Sequence, residues 1–154
     1  MGRAALKGMK IHELGHVVLY VSNLERVADF YRDTLGFHEL VRQWPLAVFS
    51  SGRTHHELLL IEVGGVPEQR RQPKPGLYHI GFKVANTTQE LKEVFQELKQ
   101  KGVTIIGTGD HTVTHSIYIL DPDGNELELY ADVSGEWKKN PLSIVAPVRP
   151  LDLE

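Results

Sequence analysis

Two stretches, Gly15-His16-Val17-Val18-Leu19-Tyr20-Val21 and Tyr78-His79-Ile80-Gly81-Phe82-Lys83-Val84, decide the reading of this 154-residue chain. Each sets one histidine at the head of an apolar run of strand length and leads into a helix start. Ser22 with Glu25, and Thr87 with Glu90, have the spacing of a capping box. Leu24, Val27, Ala28, Tyr31 and Leu35 then recur at helical spacing as far as Gly36, and Leu91, Val94, Phe95 and Leu98 do so as far as Gly102. Three short β-like runs follow each helix, at 37–43, 47–51 and 56–63 and again at 103–107, 115–120 and 126–131. The order strand, helix, three strands therefore occurs twice, and an α+β fold of two packed copies is expected.

The first copy occupies residues 10–64, a Gly-, Pro- and charge-rich joint 65–76, the second copy 77–133 and a tail 134–154 that either wraps the domain or joins a dimer contact. With 41% apolar residues the chain can build one ordinary core. A net charge of −3 with acidic and basic residues interspersed supplies no basic stripe, so nucleic acid is not an expected partner. The absence of cysteine excludes disulfides, zinc-thiolate sites and thiol nucleophiles, and leaves histidine and carboxylate as the metal donors. The basic first ten residues are not followed by an apolar segment, and no run approaches the roughly 20 residues of a membrane span. A cytoplasmic protein without a membrane partner is expected.

Each copy closes on a strand with a potential donor four residues past a turn glycine: His56 after Gly52, and Glu128 after Gly124. Strand alternation groups Thr54, His56, Leu58 and Leu60 on one face and His55, Glu57 and Leu59 on the other, so only one of the adjacent histidines is expected to face a site. The same rule groups Glu126, Glu128 and Tyr130. His16, His79 and Glu128 make two imidazoles and one carboxylate, the facial set that suits non-haem iron(II). Coordination would also offset the cost of placing Glu128 inside an apolar strand. His12 and His38 have no counterpart in the repeat and are read as ordinary. His111 falls in 107–116, where Gly107, Gly109 and Asp110 signal a mobile loop able to close over a substrate. Asp121-Pro122-Asp123-Gly124-Asn125 reads as a hairpin turn that sets the register of Glu128 and brings Tyr118 near it.

On Gly15-His16-Val17-Val18, Phe30-Tyr31-Arg32-Asp33-Thr34-Leu35-Gly36-Phe37, His79-Ile80-Gly81-Phe82 and Tyr118-Ile119-Leu120-Asp121-Pro122-Asp123-Gly124-Asn125 leading into Glu126-Leu127-Glu128-Leu129-Tyr130, the chain resembles the vicinal oxygen chelate superfamily over residues 12–132. That superfamily includes glyoxalases, fosfomycin and bleomycin resistance proteins and extradiol catechol dioxygenases. The resemblance implies tandem βαβββ modules forming a half-open barrel around a divalent metal. Extradiol dioxygenases use two histidines and a glutamate for iron, matched by His16, His79 and Glu128. Their paired histidines are matched in Arg53-Thr54-His55-His56-Glu57-Leu58, which makes His56 the acid-base residue. His111 and Tyr118 match a histidine and a tyrosine near the substrate, at a shorter spacing than in biphenyl-type enzymes. The resemblance thus implies an iron(II)-dependent dioxygenase acting on a small aromatic diol and dioxygen, as a homodimer or higher homo-oligomer; manganese(II) suits the same ligands. A glyoxalase I-like lyase with nickel or zinc is the alternative, Glu57 being the adjacent carboxylate. A metal-free drug-binding resistance protein is the third reading.

Overall fold

The computed structural model describes residues 8–67 and 73–154; residues 1–7 of the basic N-terminal stretch and residues 68–72 of the joint lie outside them. The first module runs β1 (Val17–Val21), α1 (Leu24–Asp29), β2 (Glu39–Gln43), β3 (Leu46–Phe49) and β4 (Leu58–Glu62). The second runs β5 (His79–Ala85), α2 (Thr88–Gln100), β6 (Ile105–Asp110), β7 (Thr114–Leu120) and β8 (Glu126–Asp132). Each module folds as one four-stranded mixed sheet, in the orders β1-β4-β3-β2 and β5-β8-β7-β6. In both, the first and last strands pair in parallel, which requires a crossover between them. The expected α+β fold of two tandem βαβββ modules is therefore present, as two open sheets and not as a closed barrel.

Local signals account for the helix starts with one change. Thr87 caps α2 through its hydroxyl, 3.1 Å from the Glu90 amide, while the Glu90 carboxylate reaches back to the Asn86 amide at 2.6 Å. At α1 the expected cap, Ser22, is displaced by Asn23, whose side-chain oxygen accepts from the Arg26 amide at 2.9 Å. Ser22 is instead spent on a long-range partner: its hydroxyl donates to Asp123 Oδ1 at 2.5 Å and its amide to Oδ2 at 2.7 Å. After α1 the chain widens into a π-type turn at Phe30–Thr34, where the apolar spacing had suggested continuous α-helix. A second expectation fails at 107–116. Most of it is strand, β6 and β7, joined by a short turn at 111–113 in which Thr112 is left-handed (φ 73°). Cross-strand pairing from Gly107–Tyr118 to Asp110–His115 occupies the backbone there, and overrides the loop propensity of the glycines.

The buried stripe of α1, namely Leu24, Val27 and Ala28 with Tyr31 beyond it, packs on Leu58 and Leu60 of β4. Leu91, Phe95 and Leu98 of α2 pack on Ile117, Ile119, Leu127 and Leu129 in the same way. All of these residues belong to one continuous core. Burying each such side chain contributes roughly 1.5–3 kcal/mol. Across the seam Phe37 meets Phe82 edge to face at 5.6 Å, and the Lys101 ammonium donates to the carbonyls of Asp33 and Thr34 at 3.2 Å. The Tyr31 hydroxyl donates to the buried Asp121 carboxylate at 2.8 Å. The tail lies along the second module: Asp110 and Arg149 form an antiparallel bridge, Thr108 donates to the Leu151 carbonyl at 2.7 Å, and Leu153 is buried. Among the described residues no helix is long and apolar enough to cross a membrane.

Tyr31→Phe keeps the ring and removes the hydroxyl that donates to Asp121 across the modules. It is expected to lower unfolding free energy by about 1–3 kcal/mol, the range for a buried polar group losing a partner. Urea denaturation of the two proteins checks it.

Candidate metal centre

The sheet of the second module buries its Ile117, Ile119, Leu127 and Leu129 face under α2, so alternation sends Ser116, Tyr118, Glu126, Glu128, Tyr130 and His79 to the opposite face. Register then places them side by side. Tyr118 is directly opposite Glu128, Ser116 opposite Tyr130, and Gly81 opposite Glu128 on the parallel side. The Glu128 carboxylate is the hub. One oxygen stands 2.9 Å from His79 Nε2; the other accepts from Ser116 Oγ at 2.6 Å and from the Tyr118 hydroxyl at 3.3 Å. His111 Nε2 lies 2.5 Å from the Tyr118 oxygen and 3.9 Å from Glu128 Oε1. Four of the six expected site residues, His79, Glu128, Tyr118 and His111, thus form one network. Ser116, buried and bonded to Glu128, was missed; its position two residues before Tyr118 on the same strand face is the signal that could have found it.

His16 and His56 sit together at the other sheet, in the chain just before β1 and β4. Their rings approach to 4.3 Å, and His55 joins them with its Nδ1 2.5 Å from His56 Nδ1. Three rings meet because residues 50–57 are not yet strand. β4 begins at Leu58, and Gly52 (φ 98°) turns the chain before it, so simple alternation does not separate His55 from His56. Two expectations change here. The face on which alternation groups His56 with Leu58 and Leu60 is the core face, and Glu57 continues the opposite one, so alternation does not aim His56 at a site. Register also revises the equivalence across the repeat: Val18 pairs with Leu59 as Gly81 pairs with Glu128, so the structural counterpart of Glu128 is Leu59. Counting from the turn glycines paired it with His56 because the Gly52 turn is followed by irregular chain and the Gly124 turn by strand.

Electrostatics sort the donors further. Desolvation, followed by the neighbouring His16 and His55, lowers the pKa of His56 and favours its neutral form. For Glu57 burial pushes upward, but donors from Ser51 at 2.6 and 2.8 Å and the nearby Arg53 bring the carboxyl below its ordinary value. Glu57 is therefore already committed to the loop that carries it. His79 Nδ1 is buried and has no hydrogen-bond partner, an arrangement that costs roughly 1–3 kcal/mol in a chain standing alone. The imidazole Nε2 of His79 and the Glu128 carboxylate, converging at 2.9 Å, suit a divalent transition ion as two of its donors. Among the described residues no three His, Asp and Glu side chains are grouped so as to hold an ion, and His16 is not brought to His79 and Glu128.

The model of the Glyoxalase/Bleomycin resistance protein/Dioxygenase superfamily matches residues 13–129. The chain belongs to this superfamily. It is 31% identical over 120 residues to biphenyl-2,3-diol 1,2-dioxygenase 2 of Rhodococcus globerulus, covering 78% of this chain and 63% of that one. To catechol-2,3-dioxygenase of Bacillus subtilis it is 33% identical over 125 residues, 79% of this chain and 43% of the relative. It is also 32% identical over 122 residues to metallothiol transferase FosB of Staphylococcus haemolyticus, covering 78% of this chain and 84% of the relative. The chain thus spans less than two thirds of the length of these dioxygenase relatives, and most of the length of the transferase.

Tyrosine ionisation gives a pH test of this network. Burial first, and then the Glu128 charge, raise the pKa of Tyr118 well above its ordinary 10.0; burial and Asp121 do the same for Tyr31. A raised folded-state pKa contributes stability that is present below the unfolded value, about 10, and lost as pH rises toward the folded one. The melting temperature is therefore expected to fall above about pH 10, and to fall less steeply in Tyr118→Phe. Thermal melts from pH 8 to 11 check it.

Proposed function

We propose that the protein is an iron(II)-dependent extradiol-type dioxygenase that opens a catechol-like aromatic ring, with His16, His79 and Glu128 holding the metal. The observation that carries this reading is the Glu128 hub, with His79 on one oxygen and Ser116 and Tyr118 on the other. Two donors are thereby oriented, and polar groups for a bound diol stand beside them. Iron(II) bound there would supply Lewis acidity toward the diol oxygens and an electron source for dioxygen. The chain's own residues do the rest. Ser116 fixes the carboxylate rotamer, Tyr118 and His111 offer a hydroxyl and an imidazole to the ligand, and His56, favoured neutral, accepts and returns a proton. Manganese(II) would suit the same donors.

The third donor, His16, lies in the first module, just before β1. In this reading the protein is a homodimer in which a second copy brings its His16 and His56 to the His79 and Glu128 of the first. The face around His16 supports that arrangement: Val18, Tyr20 and Leu46 lie exposed on the side of their sheet away from the core. A second reading, a metal-dependent lyase or thiol transferase without oxygen chemistry, is favoured by one observation, the fuller coverage of FosB. Against its glyoxalase-like form, which needs a fourth donor such as a second carboxylate, Glu57 is tied to Ser51.

Metal analysis of anaerobically purified protein is expected to find iron or manganese, and His16→Ala, His79→Ala and Glu128→Ala each to lose it. Oxygen uptake with a series of catechols, beside a methylglyoxal–glutathione assay and a fosfomycin–thiol assay, separates the reaction classes. His56→Ala should keep the metal and cut turnover by about 100- to 10,000-fold, the span of general acid-base catalysis; loss of metal from this variant would move His56 into the ligand set. Tyr118→Phe should cost about 1–3 kcal/mol in kcat/KM with metal retained. Mixing His16→Ala with Glu128→Ala, followed by subunit exchange, should restore about a quarter of the wild-type metal if the site is shared across a two-fold dimer. No restoration would remove the site shared across the dimer.

A further inference from the structure

The tail at 134–154, which lies along the second module, brings one of its residues to the edge of the Glu128 network. Gly109 lies inside β6 with an ordinary backbone conformation, where glycine costs strand stability and is not required by any turn. Space explains it. A Cβ at this position would stand 2.9 Å from Val148 Cγ1 and 3.3 Å from His111 Nε2, so the tail and the site histidine share the bare backbone of residue 109. Asp110 fixes both neighbours. One of its carboxylate oxygens accepts from the Thr112 amide at 2.8 Å, which holds the turn that carries His111, and the other pairs with Arg149 Nη2 at 2.9 Å. Two backbone hydrogen bonds of 2.9 Å between Asp110 and Arg149 lock the register of the strap. Thr108 and the buried Leu153 anchor it further along.

Val148 itself is 58% exposed, so its burial contributes little to the core. A half-exposed aliphatic side chain, held by its neighbours against the backbone beside a polar network, is placed as a lip. We propose that Val148 is a specificity-determining residue: it forms the wall that limits the size of the group a ligand can carry next to His111 and Tyr118. This rests on the reading that the ligand lies against the Glu128 network; it does not require that the reaction be ring cleavage.

Val148→Ala and Gly109→Ala test it by different routes, since the first removes the wall and the second drives a methyl group into its seat. The first readout is modification by diethylpyrocarbonate, followed for each histidine by peptide mass spectrometry with the exposed His12 as internal reference. In Val148→Ala His111 is expected to react several-fold faster relative to His12 than in the wild type, and in Gly109→Ala, whose methyl group would stand 3.3 Å from His111 Nε2, several-fold slower. The second readout is the ratio of kcat/KM for 4-tert-butylcatechol to that for catechol, measured on the iron-loaded protein. Val148→Ala should raise that ratio by roughly tenfold or more, the span for a few methyl groups in an apolar pocket. An unchanged His111 rate in both variants overturns the proposal, whatever the substrates do. Faster modification of His111 in a protein that turns over no catechol removes the dioxygenase reading and leaves the wall in place.

Discussion

A buried carboxylate with every oxygen satisfied holds this structure in register. Asp121 is 4% exposed and accepts from the amides of Asp123 and Asn125 at 2.9 and 2.8 Å, from Asn125 Nδ2 at 2.9 Å and from the Tyr31 hydroxyl at 2.8 Å. An unpaired buried charge would cost several kcal/mol, so all four donors must be in place for the fold to tolerate it. Three of them shape the turn between β7 and β8, and that turn determines which residue of β8 faces Tyr118. The fourth comes from the other module. Asp123, two residues on, extends the same tie to Ser22 and Arg26. The joint between modules and the aim of Glu128 thus depend on one short segment.

That dependence explains what was legible in the sequence. Within a module, apolar periodicity and turn glycines suffice: β1, β5, α2 and the stripes Leu24–Val27–Ala28 and Leu91–Phe95–Leu98 all lie where their spacing puts them. The Asp121–Asn125 segment reads locally as a hairpin and is one, but its bonds to Tyr31 and Ser22 cross between modules and leave no local trace. Ser22 shows the consequence. Its spacing from Glu25 is that of a cap, yet a partner 101 residues away outcompetes the helix, and Asn23 takes the cap.

The candidate site divides along the same line. Tyr118 and Glu128 meet because antiparallel register is set by a short turn, which the sequence displays. His55 and His56 depart from expectation because alternation holds only where a ladder exists, and β4 starts one residue after Glu57. Local reading therefore succeeds on the second module's face and fails in the irregular chain before β4. In the same way Gly109 reads as a loop signal until the tail is seen to occupy the space of its missing side chain.

The repeat is also broken at the strand pairing that carries Glu128. Both modules begin their first strand at a histidine or directly after one, but where the second has Gly81 paired with Glu128, the first has Val18 paired with Leu59. Two identical faces brought together would offer two imidazoles and two carboxylates. The proposed site takes two imidazoles and one carboxylate, with His56 as an additional base from the loop. A three-donor set leaves coordination positions for an incoming ligand, whereas the carboxylate nearest to a fourth donor, Glu57, is held by Ser51. With Leu59 and no carboxylate at this place on the first module's sheet, the proposed metal site keeps positions for an incoming ligand, and the sheet face of Val18, Leu46 and Leu59 is apolar.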